Sequence, residues 1–258
     1  MENKKIFPNN KKEINNNNNQ YKIEILSEDD EQLKNPEQEI LDFKLIVIGD
    51  SFVGKSSLIL QATTKKFNYE YNATIGFDFL QFICKINNVI LKMQIWDTCG
   101  QEIYRSLIHS FYNNSSLSIL VYSIIDKNSF NNLDGWLKEI KTFTSPTQPI
   151  FLIGNKSDLE NERKVNQNDV DIFMKNNKID FFIETSAKDN KNISNVFIQA
   201  AKVLYKKYKD YNNIKLENTI NVNVEKIDKK INLKEEKIKK TKKKMLLIKF
   251  ILIFLTHL

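Results

Sequence analysis

The chain has 258 residues, 41% of them apolar and 28% charged, which excludes a wholly disordered chain and a multi-span membrane protein and leaves room for one domain plus arms. Its formal net charge of +7 is uneven: residues 209–258 hold 13 Lys against 6 acidic residues, and the rest of the chain balances. The basic character therefore belongs to a tail and gives no support for a nucleic-acid-binding globular domain.

Two cysteines, Cys84 and Cys99, exclude a disulfide framework and a four-thiolate zinc site, and no zinc-type cluster exists. Nothing near Met1 resembles a secretory signal, so a reducing, intracellular compartment is expected. All six glycines fall between Gly49 and Gly154, which concentrates the close backbone approaches, and with them the functional loops, in one region.

Residues 1–41 lack glycine, carry the run Asn15 to Asn19 and end near the acidic patch Glu28-Asp29-Asp30-Glu31. This composition predicts a disordered N-terminal arm with no assigned function. From Asp42 apolar runs alternate with amphipathic stretches: FKLIVIG, KSSLILQATTKKF, FDFLQFICKI, VILKMQIWD, LSILVYSII, a helical SFNNLDGWLKEIKTF, PIFLIG, a helical NQNDVDIFMKNN, IDFFIET and a helical NISNVFIQAAKVLYKKY. The series predicts about six strands and five helices over residues 42–208, an open, mostly parallel α/β sheet with helices on both faces and one antiparallel hairpin at residues 77–97. Ligands on such sheets bind at the carboxyl ends of the strands.

Four motifs stand at those ends. Gly49-Asp50-Ser51-Phe52-Val53-Gly54-Lys55-Ser56 joins an apolar strand to an amphipathic helix. Such a loop turns successive N–H groups around phosphates at a helix N-terminus, with Lys55 as a point charge and the Ser56 hydroxyl as a Mg²⁺ ligand. In Asp97-Thr98-Cys99-Gly100-Gln101, at the end of the strand LKMQIWD, the carboxylate can hold a metal through water, the glycine can approach a γ-phosphate and the glutamine can orient an attacking water. Asn155-Lys156-Ser157-Asp158 ends in a carboxylate able to accept the paired donors of a guanine-type N1–H and exocyclic amine. Ser186-Ala187-Lys188 is weak alone and informative in this order.

In this order, over about residues 42–208, the four motifs resemble the Ras superfamily of small GTPases. The resemblance implies a P-loop small GTPase G domain binding GTP or GDP with Mg²⁺. It also implies nucleotide contacts from Ser51, Val53, Gly54, Lys55, Ser56, Ser57, Phe67, Thr74, Gly100, Asn155, Lys156, Asp158, Ser186, Ala187 and Lys188. The metal would be held by Ser56, Thr74 and Asp97, and catalysis would involve Gln101, Lys55 and Thr74. Within the superfamily, Thr74-Ile75-Gly76-Phe77-Asp78-Phe79 and Trp96-Asp97-Thr98 look like the Rab branch. That likeness implies a membrane-traffic switch, Phe67 stacked on the base, and Phe79, Trp96 and Phe111 as the surface met by effectors, beside an exchange factor and an activating protein at the switches. Phe111 stands where a Tyr is usual in the family. TIGFDFL and RSLIHSF are similar to the Golgi-associated Rab group, so the expected place is the cytoplasmic face of Golgi or endosomal membranes. A monomer is expected, with no nucleic-acid partner.

Several residues depart from that pattern. Phe52 stands where a small residue is frequent, Cys99 where Ala is usual, and switch II reads Gln-Glu-Ile-Tyr-Arg in place of Gln-Glu-Arg-Phe-Arg. A nucleotide-locked, non-cycling module is therefore the alternative reading, while an ATP-dependent kinase or motor conflicts with Asn155 to Asp158. Nothing after Cys99 is Cys, so the family's prenyl anchor is not expected. Residues 209–258 read instead as a hypervariable basic tail. Six Lys between Lys237 and Lys244 precede an apolar stretch from Met245 to Leu258 that is too short to span a bilayer and suited to shallow insertion beside anionic lipid. A 3/4 spacing of Ile220, Val224, Ile227, Ile231 and Ile238 predicts a helix before it. Trp136 is read as packing and His109 as a switch II surface residue.

Overall fold

The computed structural model describes residues 21–68, 77–98 and 111–215, with the backbone alone at Phe77 and Asp78. Its strands are β1 (Ile23–Leu26), β2 (Glu39–Ile48), β3 (Phe77–Ile86), β4 (Val89–Thr98), β5 (Leu117–Ser123), β6 (Ile150–Asn155) and β7 (Phe181–Glu184). They form one sheet in the order β1-β3-β4-β2-β5-β6-β7. The pairs β2 with β4, β2 with β5, β5 with β6 and β6 with β7 are parallel, whereas β3 runs antiparallel to both β4 and β1.

The sequence dictates this arrangement locally. Leu117–Ser123 is buried along its whole length, as a central parallel strand covered on both faces must be. The hairpin between β3 and β4 turns at Asn87-Asn88, and Asn87 takes a φ of 54°, a conformation Asn tolerates better than most side chains.

The helices are α1 (Lys55–Thr64), α2 (Lys127–Asn131), α3 (Leu133–Phe143), α4 (Gln167–Asn177) and α5 over residues 193–215. The first lies against β3 and β4, and both α2 and α3 lie against β5. In α3 the residues Leu133, Trp136, Leu137 and Ile140 are buried, a spacing of three and four that places one apolar stripe on the sheet. On α5, Phe197 stacks on Phe82 of β3 with ring centroids 5.3 Å apart. The compact unit that holds the sheet closes at Tyr205. No helix among the described residues is long and apolar enough to cross a membrane.

Two expectations are corrected. Residues 21–41 do not belong to a structureless arm. Ile23–Leu26 pairs with Ile83–Ile86, its Ile23 and Leu26 are buried, and Leu26 joins Ile83 and Ile90 in a small core against which Leu33 and Ile40 pack. The sheet thus has seven strands rather than six. A four-residue apolar run in a polar context is too short to fold alone; the open edge of β3 supplies the backbone partners that make it a strand. The stretch SFNNLDGWLKEIKTF, expected as one helix, is divided at Asn132, which stands between α2 and α3.

Candidate functional site

The parallel strands end on one side of the sheet, and the candidate residues follow those ends. After β2 the chain enters the loop Gly49–Gly54. Gly49 has a φ of +143°, and a Cβ on it would lie 2.1 Å from the Val121 carbonyl oxygen. Gly54 has a φ of +95°, and a Cβ there would lie 2.4 Å from the Asn155 amide nitrogen. Both positions admit only glycine. Gly54 is also the N-cap of α1 and offers no capping side chain, and the N-terminus of a helix favours an anion.

Lys55, buried at the head of α1, donates to the carbonyls of Gly49 at 2.9 Å and Asp50 at 2.8 Å. Its ammonium is therefore folded back over the loop mouth. Ser56 and Ser57 follow in the first turn, Val53 is buried, and Ser51 is half-buried. Phe52 takes a φ of 66°, unusual for a bulky side chain, with 65% of its surface exposed. Phe67 stands half-buried in the segment after α1.

The second cluster forms where β6 and β7 end. Asn155 is buried, and its amide donates to the carbonyls of Val53 at 2.9 Å and Gly54 at 3.4 Å, while its oxygen accepts from the Thr185 hydroxyl at 3.1 Å. This one side chain binds the loop after β2 to the ends of β6 and β7. Ser186, fully buried, donates to Asp158 at 2.7 Å and accepts from the Asp189 N–H at 3.0 Å. The Asp158 carboxylate is thereby oriented before any ligand arrives. Lys156 takes a φ of 67°, and burial lowers its pKa against the opposing pull of the Asp126 and Asp158 carboxylates. Ala187 is buried and Lys188 exposed.

Arg163 braces this end. Its guanidinium bonds both carboxylate oxygens of Glu184 at 2.8 Å, and both oxygens of Glu160 at 2.7 and 2.6 Å. Hydrogen bonding by Arg163 holds the Glu160 carboxyl below its ordinary range. The fork ties the segment after Asp158 to the last residue of β7, immediately before Thr185 and Ser186.

Asp97, buried near the end of β4, is the register partner of Val47, two residues before Gly49. The neighbouring Thr98 hydroxyl donates to the Val47 carbonyl at 2.7 Å and fixes that register at its end. The Ser56 hydroxyl and the Asp97 carboxylate are hard oxygen donors, the chemistry that suits Mg²⁺. Among the described residues no cluster of three or more His, Cys, Asp or Glu could hold a metal by itself.

On the same sheet Phe79, Trp96 and Phe111 are brought together: Phe79 stacks on Trp96 at 5.4 Å, and Trp96 meets Phe111 at 5.1 Å. Lys44 lies 5.1 Å from the Trp96 ring and 5.7 Å from Phe111, and donates to the Asn113 carbonyl at 3.0 Å. Phe79 is 48% exposed, a large apolar side chain at the surface.

Thr74, Gly76, Cys99, Gly100, Gln101 and His109 lie outside the described residues, as do the run Asn15 to Asn19 and the tail from residue 216 with its basic and apolar segments and the helix expected before them. Sequence reasoning overlooked Thr185, Asp189 and Asn132, and it gave Asp50 no role. The available signal was Trp136, since a buried indole N–H requires an acceptor. Compared with known protein families, residues 44–206 match the model of the Ras family.

Proposed function

The chain belongs to the Ras family, since the match spans well over half of its length, and from that premise we propose that it is a Rab-type GTPase acting as a switch in membrane traffic. Ras-family domains are in general GTP-hydrolysing small GTPases. The observation that supports the reading here is the Asn155 amide on the Val53 and Gly54 carbonyls, with its oxygen on Thr185, next in sequence to the Ser186 that holds Asp158, so that the loop after β2 and the Asp158 carboxylate are linked. A nucleotide would lie with its phosphates at the head of α1 and its base edge at Asp158.

The chain's own residues do the following. Lys55 donates to phosphate oxygens and neutralises charge; Asp158, held by Ser186, accepts the base donors; Gln101 orients the attacking water. Ser56 and Asp97, with Thr74, would hold Mg²⁺, whose chemistry when bound is to neutralise charge on the β- and γ-phosphate oxygens. The Rab assignment is supported by Thr74 to Phe79 in the sequence and by the packed Phe79–Trp96–Phe111 cluster, a surface for effectors that respond to the switches. Exchange factors and activating proteins would act at the same switches. The tail from Lys237 is proposed to hold the chain to an anionic endomembrane surface by charge and shallow insertion. Flotation of the full chain with anionic vesicles, lost on removing residues 237–258, is the expected result, and equal flotation of both forms contradicts it.

The test of the nucleotide reading is competition binding with Mg²⁺. GDP and GTP should displace a fluorescent GDP analogue while ATP fails at the same concentration, and Asp158→Ala should abolish that discrimination. Retained discrimination in the variant contradicts the assignment of Asp158. Phe52 motivates the second reading, a nucleotide-locked binding module: it is a bulky, exposed side chain at a φ of 66° in the phosphate loop, where it would bear on turnover.

A further inference from the structure

The first half of the phosphate loop is fixed by a side chain that the phosphate chemistry does not use. Both carboxylate oxygens of Asp50 are engaged by the head of α3: one accepts from the Trp136 indole N–H at 2.7 Å and the other from the Asn132 amide at 2.7 Å. Trp136 is 1% exposed and belongs to the core cluster that includes Ile48, so its ring is fixed to the sheet and does not follow the loop. Asn132 is the N-cap of α3, yet its side chain makes no capping bond. An Asn at that position ordinarily caps the helix; here its amide is committed to Asp50, 82 residues away in sequence.

The other constraints on the loop show why such an anchor matters. The second half, Val53 and Gly54, is held by the Asn155 amide. The first half, Gly49 and Asp50, is held through its carbonyls by the Lys55 ammonium, a group that must also serve the phosphate. The Asp50 carboxylate on α3 is a second side-chain anchor of that half, and one that phosphate does not recruit.

We propose that Asp50, Asn132 and Trp136 form a clamp that sets the lifetime of the bound nucleotide, by holding Gly49 and Asp50 in the phosphate-binding shape while Lys55 engages the ligand. All three are positioning residues. The proposal rests on the GTPase reading given above, and it adds a control of nucleotide release seated in α3, away from both switches.

The experiment measures release of a fluorescent GDP analogue from the full chain with Mg²⁺ and excess GDP. Asn132→Asp sets two carboxylates against each other and should speed release about tenfold, the effect of losing one hydrogen bond to a charged group. A carboxylate at an exposed N-cap is favourable for a helix, so a merely structural role for Asn132 predicts no change. The double variant Asp50→Asn with Asn132→Asp restores donor facing acceptor and should return release to within about threefold of the natural chain. Trp136→Phe, which keeps a packed ring and removes the N–H, should also release faster. Natural release rates in Asn132→Asp, or no recovery in the double variant, would overturn the clamp. If the natural chain retains no guanine nucleotide, the GTPase reading fails and takes the clamp with it, an outcome distinct from the other two.

Discussion

Ser186→Ala tests the base-recognition geometry at its least obvious residue. The Ser186 hydroxyl is fully buried, donates to Asp158 at 2.7 Å and accepts from the Asp189 N–H at 3.0 Å. Alanine removes one oxygen and leaves the backbone path intact. A hydrogen bond to an ionised carboxylate contributes about 1.5–3 kcal/mol, and at ~1.4 kcal/mol per factor of ten its loss corresponds to about 10- to 150-fold in affinity if the carboxylate must be reoriented on binding. The Asp189 N–H that loses its acceptor lies in a part-buried bond, so the penalty to folding should be about 1 kcal/mol. Titration calorimetry with GDP and Mg²⁺, paired with thermal melting of the apo chain, separates the two effects. The expected result is at least about a tenfold loss of GDP affinity with a small fall in melting temperature. GDP affinity within about twofold of the natural chain, in a protein where Asp158→Ala abolishes the preference for GDP over ATP, would refute the argument that Ser186 orients the carboxylate.

Three further outcomes follow from the fold. Gly135 lies inside α3 with open space around its missing Cβ, so Gly135→Ala should stabilise by about 1 kcal/mol and raise Tm by about 2–4 °C, read by melting. Removing residues 1–26 strips Ile23 and Leu26 from the β3 edge and should lower unfolding free energy by about 3–6 kcal/mol at most, read by urea titration; an unchanged midpoint contradicts a native role for β1. Burial pushes the Cys84 thiol from 9.0 up to about 12, so below pH 9 the native and unfolded chains both carry the proton, and above it the unfolded chain alone loses it. Stability should therefore fall with rising pH in that window, and between pH 8 and 10 the natural chain should lose about 1.4 kcal/mol more than Cys84→Val.

The mostly parallel character of the sheet was legible because β2, β4, β5, β6 and β7 are apolar runs, four of them closed by a motif, and helices of 3.6 periodicity separate most of them; the order of the strands in the sheet was not. Strand β1 was not, because Ile23–Leu26 owes its conformation to Ile83–Ile86, about 60 residues on in the chain, and no local signal encodes an open sheet edge. The phosphate loop and the Asn155 to Asp158 segment could be placed from spacing alone. Their joining could not: the Asn155 amide reaches Val53 across 102 residues and the Asp50 carboxylate reaches Trp136 across 86. Trp136 was read as packing, which its burial bears out, but its ring also carries a polar N–H, and that donor decides where the loop is anchored. Arg163 escaped notice for a similar reason. Its fork to Glu184 and Glu160 depends on β7 lying beside β6, a tertiary fact.

The central claim, a cycling GTP switch, is tested most directly by single-turnover hydrolysis of bound GTP with Mg²⁺ by the full chain and by Gln101→Leu. The account predicts slow turnover of the natural chain, about 10⁻⁴ to 10⁻³ s⁻¹, and at least about a tenfold slower reaction in the variant with GDP affinity retained. Nucleotide held by the natural chain without measurable turnover, or equal rates for the two proteins, would contradict it.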